Sequence, residues 1–281
     1  VQELLANTEH TATFQFRPSN RCATLAGGTR RALFLAGEDK NVFRFFRMNQ
    51  DITIVKGPAA YHAAAAERLA QEGVKVAILD ILEDEAVEVA KSLGGVAIKC
   101  DTTDEALLAS AFESVHAQLG GLDILVNNAG IIAQRKDWQT WTRSEVVRFA
   151  EVNYIGYFLT IKAAYPLLKQ SEHGRIINVA SRTFFMGNIG QTPYVSAKGA
   201  VIGLSWNMAK ELGGDGITVN AVMPGQVATE GTRAYNPEEM FERTMQSQAI
   251  KKRVEPPHLA ALIAFLASDD ASYVRGSIRT I

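Results

Sequence analysis

From residue 52 onward, short runs of apolar residues alternate with longer segments in which apolar residues recur every three or four positions. The short runs predict seven strands, at Ile52–Val55, Val74–Asp80, Val96–Cys100, Ile124–Asn127, Arg175–Val179, Ile217–Val222 and Ser277–Ile281. The longer segments predict helices, among them Glu105–Leu119, Ser144–Gln170 and Tyr194–Leu212. Because parallel strands need a crossover between them, usually a helix, this alternation predicts the α/β class with a doubly wound, mostly parallel sheet.

Residues 1–50 do not share this alternation, since they mix aromatic residues and arginines without a clear period. Met48 stands just before the first predicted strand, where a domain of this kind could begin. The pattern therefore divides the chain into an N-terminal extension of unknown role, residues 1–50, and a single α/β domain, residues 51–281.

Composition narrows the classes of function. With 281 residues, 47% of them hydrophobic and 21% charged, the chain can bury one large core. Its formal net charge of −1 gives no electrostatic reason to expect a nucleic acid or a membrane surface as partner. The two cysteines and five scattered histidines indicate neither a disulfide framework nor a metal site. No apolar stretch reaches the roughly 18 residues of a membrane span, and the first residues lack a signal-peptide pattern, so we expect a cytoplasmic protein.

The candidate chemistry lies between residues 177 and 205, where Ser181 follows a buried strand and Tyr194 and Lys198 stand four residues apart. Residues four apart share one face of a helix, so the ammonium group of Lys198 is expected near the phenol. A free phenol has a pKa of about 10, and a nearby cation favours the phenolate, although lowering that pKa to about 7 needs about 4 kcal/mol. A tyrosine tuned in this way can exchange a proton with an alcohol or carbonyl oxygen that Ser181 holds.

Three further segments stand at the ends of predicted strands or within a predicted helix: LDILVNNAG (122–130), VNYIG (152–156) and NAVMPGQVATE (220–230). In this order, and together with Ser181, Tyr194 and Lys198, they resemble the short-chain dehydrogenase/reductase family over residues 51–281. The resemblance implies a single Rossmann-type domain with a seven-stranded sheet. It also implies an enzyme that moves a hydride between a nicotinamide cofactor and a secondary alcohol or ketone.

The resemblance assigns roles to single residues. Tyr194 corresponds to the family's general acid/base, Ser181 to the donor that holds the substrate oxygen, and Lys198 to the cation that lowers the tyrosine pKa and binds the nicotinamide ribose. Asn153 corresponds to the residue that holds a water molecule linking Lys198 to solvent, which completes the catalytic set. The residues implied in cofactor binding, besides Tyr194 and Lys198, are Gly57, Asp80, Asp101, Thr102, Asn128, Ala129, Gly130, Pro224, Gly225, Val227 and Thr229.

Asp80 indicates which nicotinamide cofactor is used. A carboxylate at the end of the second strand accepts hydrogen bonds from both adenosine ribose hydroxyls and repels a 2′-phosphate. No arginine follows Asp80 directly. The sequence therefore favours NAD over NADP.

The turn after the first strand departs from the family's Thr-Gly-x-x-x-Gly-x-Gly pattern. The three glycine positions hold Lys56, Ala60 and His62, and a one-residue shift recovers only Gly57. These glycines allow a tight turn, close approach of the backbone to the pyrophosphate and close helix–strand packing, so we expect weak cofactor binding. Three explanations are open: a sequence error near the chain ends, a diverged enzyme with impaired cofactor binding, and a non-catalytic binding or sensing protein on the same fold.

The region after Ser181 bears on the substrate. Thr183, Phe184 and Phe185 follow it directly, and residues 235–250 predict a lid over the pocket. These segments are similar to those of family members that oxidise aromatic alcohols. The resemblance implies a small-molecule alcohol or carbonyl substrate that contacts Ser181, Thr183, Phe184 and Phe185, whereas the alternative makes the two phenylalanines core residues.

Assembly is expected from helix composition. The helix predicted over Ser144–Gln170 and the one after Tyr194 carry more apolar residues than one sheet face needs. Family members usually pair these helices between subunits. We therefore expect a homodimer or a homotetramer.

Overall fold

The computed structural model describes residues 52–56, 59–132, 135–233 and 236–281. Within them, seven parallel strands form one sheet in the order β3-β2-β1-β4-β5-β6-β7. The strands are β1 (Ile52–Lys56), β2 (Lys75–Asp80), β3 (Val96–Lys99), β4 (Ile124–Asn127), β5 (Arg175–Val179), β6 (Thr218–Met223) and β7 (Ile278–Thr280). This architecture confirms the doubly wound α/β fold, and every strand end lies within one residue of its prediction.

Helices connect the strands and cover both faces of the sheet. They are α1 (Ala59–Gln71), α2 (Glu83–Leu93), α3 (Glu105–Leu119), α4 (Arg143–Ala150), α5 (Gly156–Leu168), α6 (Thr183–Met186), α7 (Thr192–Glu211), α8 (Glu230–Arg233), α9 (Glu238–Ser247) and α10 (Pro256–Ala267). On one face the buried core includes α3, α5 and α7, and on the other it includes α1, α2 and α10. β4, β5 and β6 are buried at every position, as expected for strands covered on both sides.

The single helix predicted over Ser144–Gln170 is divided into α4, a π-helical segment and α5. Thr142 and Glu145 form a reciprocal cap that begins α4, with the Thr142 N–H donating to the Glu145 carboxylate at 2.8 Å. In the π segment, Glu151–Ile155, the helix takes one extra residue, and the N–H of Gly156 donates to the Glu151 carbonyl. Such π turns are frequent at functional sites.

The strand order reverses at β1, whose neighbours are β2 and β4. In open sheets of this type, ligands bind in the crevice outside the carboxyl ends of the strands at such a switch point. The segments singled out in the sequence follow β4, β5 and β6, so the fold places them at this edge.

β1 runs one residue further than predicted, to Lys56, which pairs with Leu79. Lys56 is therefore an extended strand residue and does not occupy the glycine-type turn considered for it. Gly57 lies outside the described residues, as does the segment 1–50, so the domain boundary stays a prediction. In the ranges that the structure describes, no helix is long and apolar enough to cross a membrane.

Candidate active site

A cavity of about 420 Å³ opens at the carboxyl edge of the sheet, beside the ends of β4, β5 and β6. It brings together the four predicted catalytic residues, Asn153, Ser181, Tyr194 and Lys198. It is also lined by the predicted binding residues Asn128, Gly130, Thr183, Pro224 and Gly225. Sequence motifs separated by many residues thus meet in one place.

Three predicted adenosine-site residues, Asp80, Asp101 and Thr102, stand at the ends of β2 and β3 and do not line the cavity. Burial alone would raise the pKa of Asp101. Hydrogen bonds from the N–H and hydroxyl of Thr103, at 2.9 and 2.8 Å, and the charge of Arg148 outweigh it and lower that pKa. The Asp101 carboxylate is thus ionised and held by its own loop, and its contact with adenine stays a prediction.

Val227 and Thr229 are buried in the loop after the Pro-Gly turn. The Thr232 hydroxyl donates to the Val227 carbonyl at 2.7 Å, and the Thr229 hydroxyl accepts the Thr232 N–H at 3.0 Å. Val227 also pairs with Val254 in a parallel bridge. These contacts fix the loop that borders the cavity, while the predicted contacts of Val227 and Thr229 with the cofactor stay predictions.

Ser181 is buried just beyond the end of β5 and contacts two other hydroxyl groups. Its oxygen accepts the Thr183 hydroxyl at 2.9 Å, and its side chain hydrogen-bonds the phenol of Tyr194. Burial raises the pKa of Tyr194, and the Ser181 hydrogen bond opposes this increase. The expected lowering of the tyrosine pKa by Lys198 is therefore wrong for this structure: Tyr194 is a phenol at neutral pH, and Ser181 is the group that works to lower its pKa.

Lys198 is almost fully buried, and its partners come from other elements. Its Nζ donates to the Val179 carbonyl at 2.8 Å and to the Tyr157 hydroxyl at 3.2 Å. Burial lowers the pKa of Lys198 to about 7. Burial, and to a smaller extent the charge of ionised Tyr194, raises the pKa of Tyr157 well above its ordinary value, so Tyr157 stays protonated. Lys198 can therefore exchange a proton near neutral pH.

Tyr157 is a site residue that the motifs do not select. Its O–H donates to the Val179 carbonyl at 3.2 Å, so it shares this acceptor with Lys198. The available signal is its position four residues after Asn153, on the same helical face. Tyr157 thus holds the buried amine from the side of α5.

Asn153 is fully buried in the π segment, and its amide is engaged with backbone groups. Its Nδ2 donates to the carbonyls of Phe149 and Ile131, both at 3.2 Å. Its Oδ1 accepts the Ile131 N–H, also at 3.2 Å. The pair of bonds to Ile131 fastens the loop after β4 to the helix, so Asn153 supports the wall of the cavity. Its role in holding water stays a prediction.

A buried row of polar side chains fixes α7 against the sheet. Asn127 donates to Asn178 at 2.9 Å, Asn178 to Ser205 at 2.9 Å, and Ser205 to the Val201 carbonyl at 2.8 Å. Removing one member leaves a buried polar atom unpaired, which costs about 1–3 kcal/mol. The row therefore holds the catalytic face of α7 toward the cavity.

The loop after β4 carries an unpaired polar group and a glycine that its neighbour requires. Among the described residues, the Nδ2 of Asn128 is buried without a hydrogen-bond partner, which an acceptor on a ligand would satisfy. Gly130, two residues on, lies so close to Asn153 that a Cβ would come within 2.7 Å of its Oδ1, so this position has no room for a larger residue. The predicted contacts of Asn128, Ala129 and Gly130 with the cofactor stay predictions.

The structure corrects the assignment of Phe184 and Phe185 to the substrate, because neither lines the cavity. The short helix α6 directs Phe184 onto α7, where a Cβ on Gly199 would meet its ring at 2.6 Å. Phe185 packs edge-on against Phe184 and is 64% exposed, so the pair does not belong to the core either. Thr183 and Met186, from the same helix, face the cavity instead.

The segment expected to form a lid contains α9, and this helix supplies one wall of the cavity. Met240, Arg243 and Thr244 line it, while Phe241 is buried beneath. Tyr235, at the start of the segment, lies outside the described residues. No motif in the sequence marks the α9 residues that face the cavity.

Known proteins are similar to this chain over most of its length. Residues 62–281 match the family model described as enoyl-(acyl carrier protein) reductase. The chain is 33% identical over 235 residues to meso-2,3-butanediol dehydrogenase of Serratia marcescens, which covers 82% of this chain and 92% of that protein. It is 36% identical over 219 residues to 3-oxoacyl-(acyl-carrier-protein) reductase FabG of Escherichia coli strain K12, covering 76% and 87%.

The fold is also similar to a solved structure. The crystal structure of levodione reductase superposes with a TM-score of 0.77 at 29% sequence identity, covering 84% of this chain and 97% of that one. In sequence, levodione reductase of Leifsonia aquatica is 30% identical over 241 residues, covering 81% of this chain and 90% of that protein. The family match begins at residue 62, where the atypical turn ends.

Proposed function

The chain belongs to the short-chain dehydrogenase/reductase family, and we propose that it is an NAD-dependent enzyme that transfers a hydride between NAD(H) and a secondary alcohol or ketone. The observation that carries the proposal is the meeting of Ser181, Tyr194 and Lys198 in one cavity. The names of two relatives, a butanediol dehydrogenase and a levodione reductase, support oxidation and reduction of small molecules.

In this proposal, the protein's own residues donate and accept the proton that accompanies the hydride. NAD(H), when bound, supplies or accepts the hydride. The Ser181 hydroxyl holds the substrate oxygen, and Tyr194 donates its proton to that oxygen in reduction and takes it back in oxidation. Because burial keeps Tyr194 protonated, it is ready to act as the acid. Lys198, with a pKa of about 7, supplies positive charge or a proton beside the resulting phenolate.

The residues present fit a dinucleotide. Asn128, Gly130 and Lys198 would hold the nicotinamide ribose, with the turn Pro224–Gly225 on the opposite side. At the other end, Asp80 accepts the Leu82 N–H at 3.0 Å through one carboxylate oxygen, which leaves the second oxygen for a ribose hydroxyl.

The charge around Asp80 supports NAD over NADP. Glu83, Asp84 and Glu85 follow it in the first turn of α2. A 2′-phosphate would meet four carboxylates in this segment, whereas ribose hydroxyls would meet acceptors.

The test is the oxidation of a panel of secondary alcohols with NAD or NADP as the only hydride acceptor. We expect NAD-dependent turnover, with kcat/KM for NAD at least tenfold above that for NADP. If a protein that binds NADH turns over no alcohol and reduces no ketone, the proposed enzyme activity is contradicted. Faster turnover with NADP contradicts only the argument from Asp80.

A second candidate function is that of a non-catalytic binding or sensing protein, which Ala60 and His62 in the glycine positions favour. On this reading, NADH binds weakly and the alcohol panel yields no NADH. Calorimetric titration with NADH separates a cofactor-impaired enzyme from one that binds normally. Any NADH production that depends on Tyr194 excludes the non-catalytic function.

We further propose a homodimer or homotetramer. Ile155 in the π segment, Phe158 on α5 and Trp206 on α7 are 39%, 43% and 52% exposed. Large apolar side chains on these helices suit a subunit contact. Light scattering over a range of concentrations tests the assembly, and a monomer at all concentrations contradicts it.

A further inference from the structure

The cavity is lined by charge of one sign. The charged residues along it are Arg135, Arg182, Lys198 and Arg243, and no Asp or Glu in the described part of the chain lines it. The chain as a whole has 29 basic and 30 acidic residues, so composition does not account for this selection. A cavity walled by cations alone favours an anionic ligand.

In the part of the chain that the structure describes, the cavity arginines form no ion pair. Arg182 has its Nε buried without a hydrogen-bond partner among the described residues. Within the same ranges, Arg135 and Arg243 form no ion pair, whereas Arg233 and Arg253, which lie outside the cavity, both pair with Glu238. Glu238 is the first residue of α9, the helix that carries Arg243. The fold thus pairs neighbouring arginines and leaves those in the cavity available.

Three separate segments bring these arginines to the cavity. Arg182 directly follows Ser181, and a Cβ on Gly225 would lie 3.5 Å from its Cζ and 3.6 Å from its Nε. Arg135 arrives from the loop after β4, and a Cβ on Gly190 would lie 3.1 Å from the Arg135 Cβ. Arg243 arrives from α9. Ser181 and the Arg182 guanidinium group therefore line the same cavity, where one ligand can meet both.

Resting on the proposed hydride transfer, we propose that the substrate is a hydroxy or oxo carboxylic acid, whose carboxylate Arg182 binds with help from Arg243 and Arg135. A guanidinium group binds a carboxylate through two parallel hydrogen bonds, which also fixes the orientation of the acid. The Ser181 hydroxyl would then hold the oxygen that is oxidised or reduced. The cavity of about 420 Å³ would hold the nicotinamide end of the cofactor at Asn128, Gly130 and Lys198 and a small acid beside Ser181.

The pyrophosphate of the cofactor is the other anion that these arginines could meet. Binding of pyrophosphate and binding of a substrate carboxylate predict different kinetics. An arginine that binds pyrophosphate changes the KM for NAD with every substrate. An arginine that binds the substrate carboxylate changes the preference for an acid over its neutral ester.

The experiment compares lactate, 3-hydroxybutyrate and 4-hydroxypentanoate with their methyl esters, which keep the reacting alcohol and remove the charge. We expect the wild-type enzyme to prefer at least one acid over its ester by at least tenfold in kcat/KM. Arg182→Gln should reduce this ratio at least tenfold, and Arg243→Gln should reduce it severalfold. Arg143→Gln, an exposed arginine on α4 that does not line the cavity, should leave the ratio unchanged.

Two results overturn the inference while leaving the proposed function standing. One is equal or faster turnover of every ester by the wild-type enzyme. The other is an unchanged acid-to-ester ratio in Arg182→Gln combined with a raised KM for NAD, which assigns the arginine to the cofactor. If neither acids nor esters nor the neutral alcohol panel react, the proposed function fails. Calorimetry of the same pairs with NADH present then decides, since acids that bind no tighter than their esters overturn the inference independently.

Discussion

The loops that follow β4, β5 and β6 and the first β-α unit stand at the same edge of the sheet, but they differ in how closely they match the family's motifs. Beside these loops, predicted catalytic residues from the π segment, the end of β5 and α7 meet in one cavity. In the first unit, Ala60 and His62 stand where glycines are expected, and α1 begins already at Ala59. The region around these loops, called the catalytic end below, thus holds all four predicted catalytic residues, whereas the first unit, called the phosphate end, lacks the expected glycines.

The altered unit nevertheless packs well. Ala65, Ala66 and Leu69 of α1 are buried to 1% exposure or less, in the core that includes α10. The third glycine of such a turn is ordinarily explained by close helix–strand packing. Here small alanines further along the helix provide a close-packed surface, so the fold does not depend on that glycine. The comparison teaches that α1 can pack closely against the sheet without the glycines that let a phosphate group approach its N-terminus.

The largest effect is expected at the catalytic end. Tyr194→Phe removes the proton donor and should reduce kcat/KM by about a thousandfold, equivalent to about 4 kcal/mol, since a positioned acid/base contributes about 10²–10⁴-fold. Tyr273→Phe is the matched control, because Tyr273 is 89% exposed and lies outside the cavity. Steady-state kinetics with circular dichroism of both variants checks this. A Tyr194→Phe enzyme with ordinary turnover would remove the contrast between the two ends.

The buried amine gives a pH-dependent stability. Above pH 7 the folded state holds Lys198 neutral, while the unfolded chain keeps that lysine protonated to about pH 10. The unfolded state then binds more protons, so stability rises with pH. The free energy of unfolding of wild type relative to Lys198→Met should increase by up to about 1.4 kcal/mol per pH unit between pH 7 and 10.

Denaturant titrations at several pH values measure this difference. Lys210→Met, at an exposed position of the same helix, should show a flat difference over the range. If the difference in unfolding free energy between wild type and Lys198→Met also did not change with pH, burial would not lower the pKa of Lys198.

The phosphate end is tested by restoring its glycines. The double change Ala60→Gly and His62→Gly should tighten NADH binding at least tenfold, about 1.4 kcal/mol, by letting the backbone approach the pyrophosphate. Because α1 includes both positions, stability should fall by about 1 kcal/mol for Ala60→Gly and by less for His62→Gly, since histidine is itself a weaker helix former than alanine. Calorimetry and denaturation measure the two effects.

The control is the double change Ala63→Gly and Ala64→Gly. It also adds two glycines to α1, but beyond the positions where the family's glycines are expected. It should lower stability without tightening NADH binding. If wild type already binds NADH as tightly as the glycine-restored protein, another arrangement of the turn holds the phosphates, and the two ends of the crevice do not differ in competence.

The smallest effect concerns Tyr157, which refines the catalytic end. Its hydroxyl accepts a hydrogen bond from Lys198, which favours the ammonium form and is worth about 1 kcal/mol. Tyr157→Phe should therefore lower the pKa of Lys198 and shift the alkaline limb of kcat/KM downward by about 0.7 pH unit. Tyr165→Phe is the control. The Tyr165 hydroxyl donates to Asp215 at 2.8 Å and does not line the cavity, so its removal should leave the pH profile unchanged. A purely structural role for Tyr157 would change rates at every pH without moving the limb.

Much of the fold could be predicted because its signals are local. Apolar runs marked each strand, and the spacing of Tyr194 and Lys198 placed both on one face of α7. The partners of Lys198 could not be predicted in this way, because Tyr157 lies 41 residues away in sequence and Val179 lies 19. Only packing brings them together, and that burial also reversed the direction expected for the pKa of Tyr194.

The part of the cavity wall that α6 and α9 form was the hardest to predict from the sequence. Phe184 and Phe185 follow Ser181 closely, but the direction of their side chains depends on α6 and on the space that Gly199 leaves beside it. Arg243 belongs to α9, which contains no sequence motif. It lines the cavity only because the chain folds α9 against it. Adjacency in sequence was therefore a poor guide to which side chains line the cavity.

The π segment gives its helix a place where one residue can be lost. Its extra residue is taken up by the bulge, so the residues on either side keep the rotational phase of a continuous α-helix. Deleting one residue of Glu151–Ile155 would let the helix close into regular turns with Tyr157 still beside Lys198, and its cost would fall on Asn153, which the segment carries. A deletion further along α5 would turn the residues after it by about 100°. The helix can therefore change length at the π segment at the least cost to the contacts of Lys198.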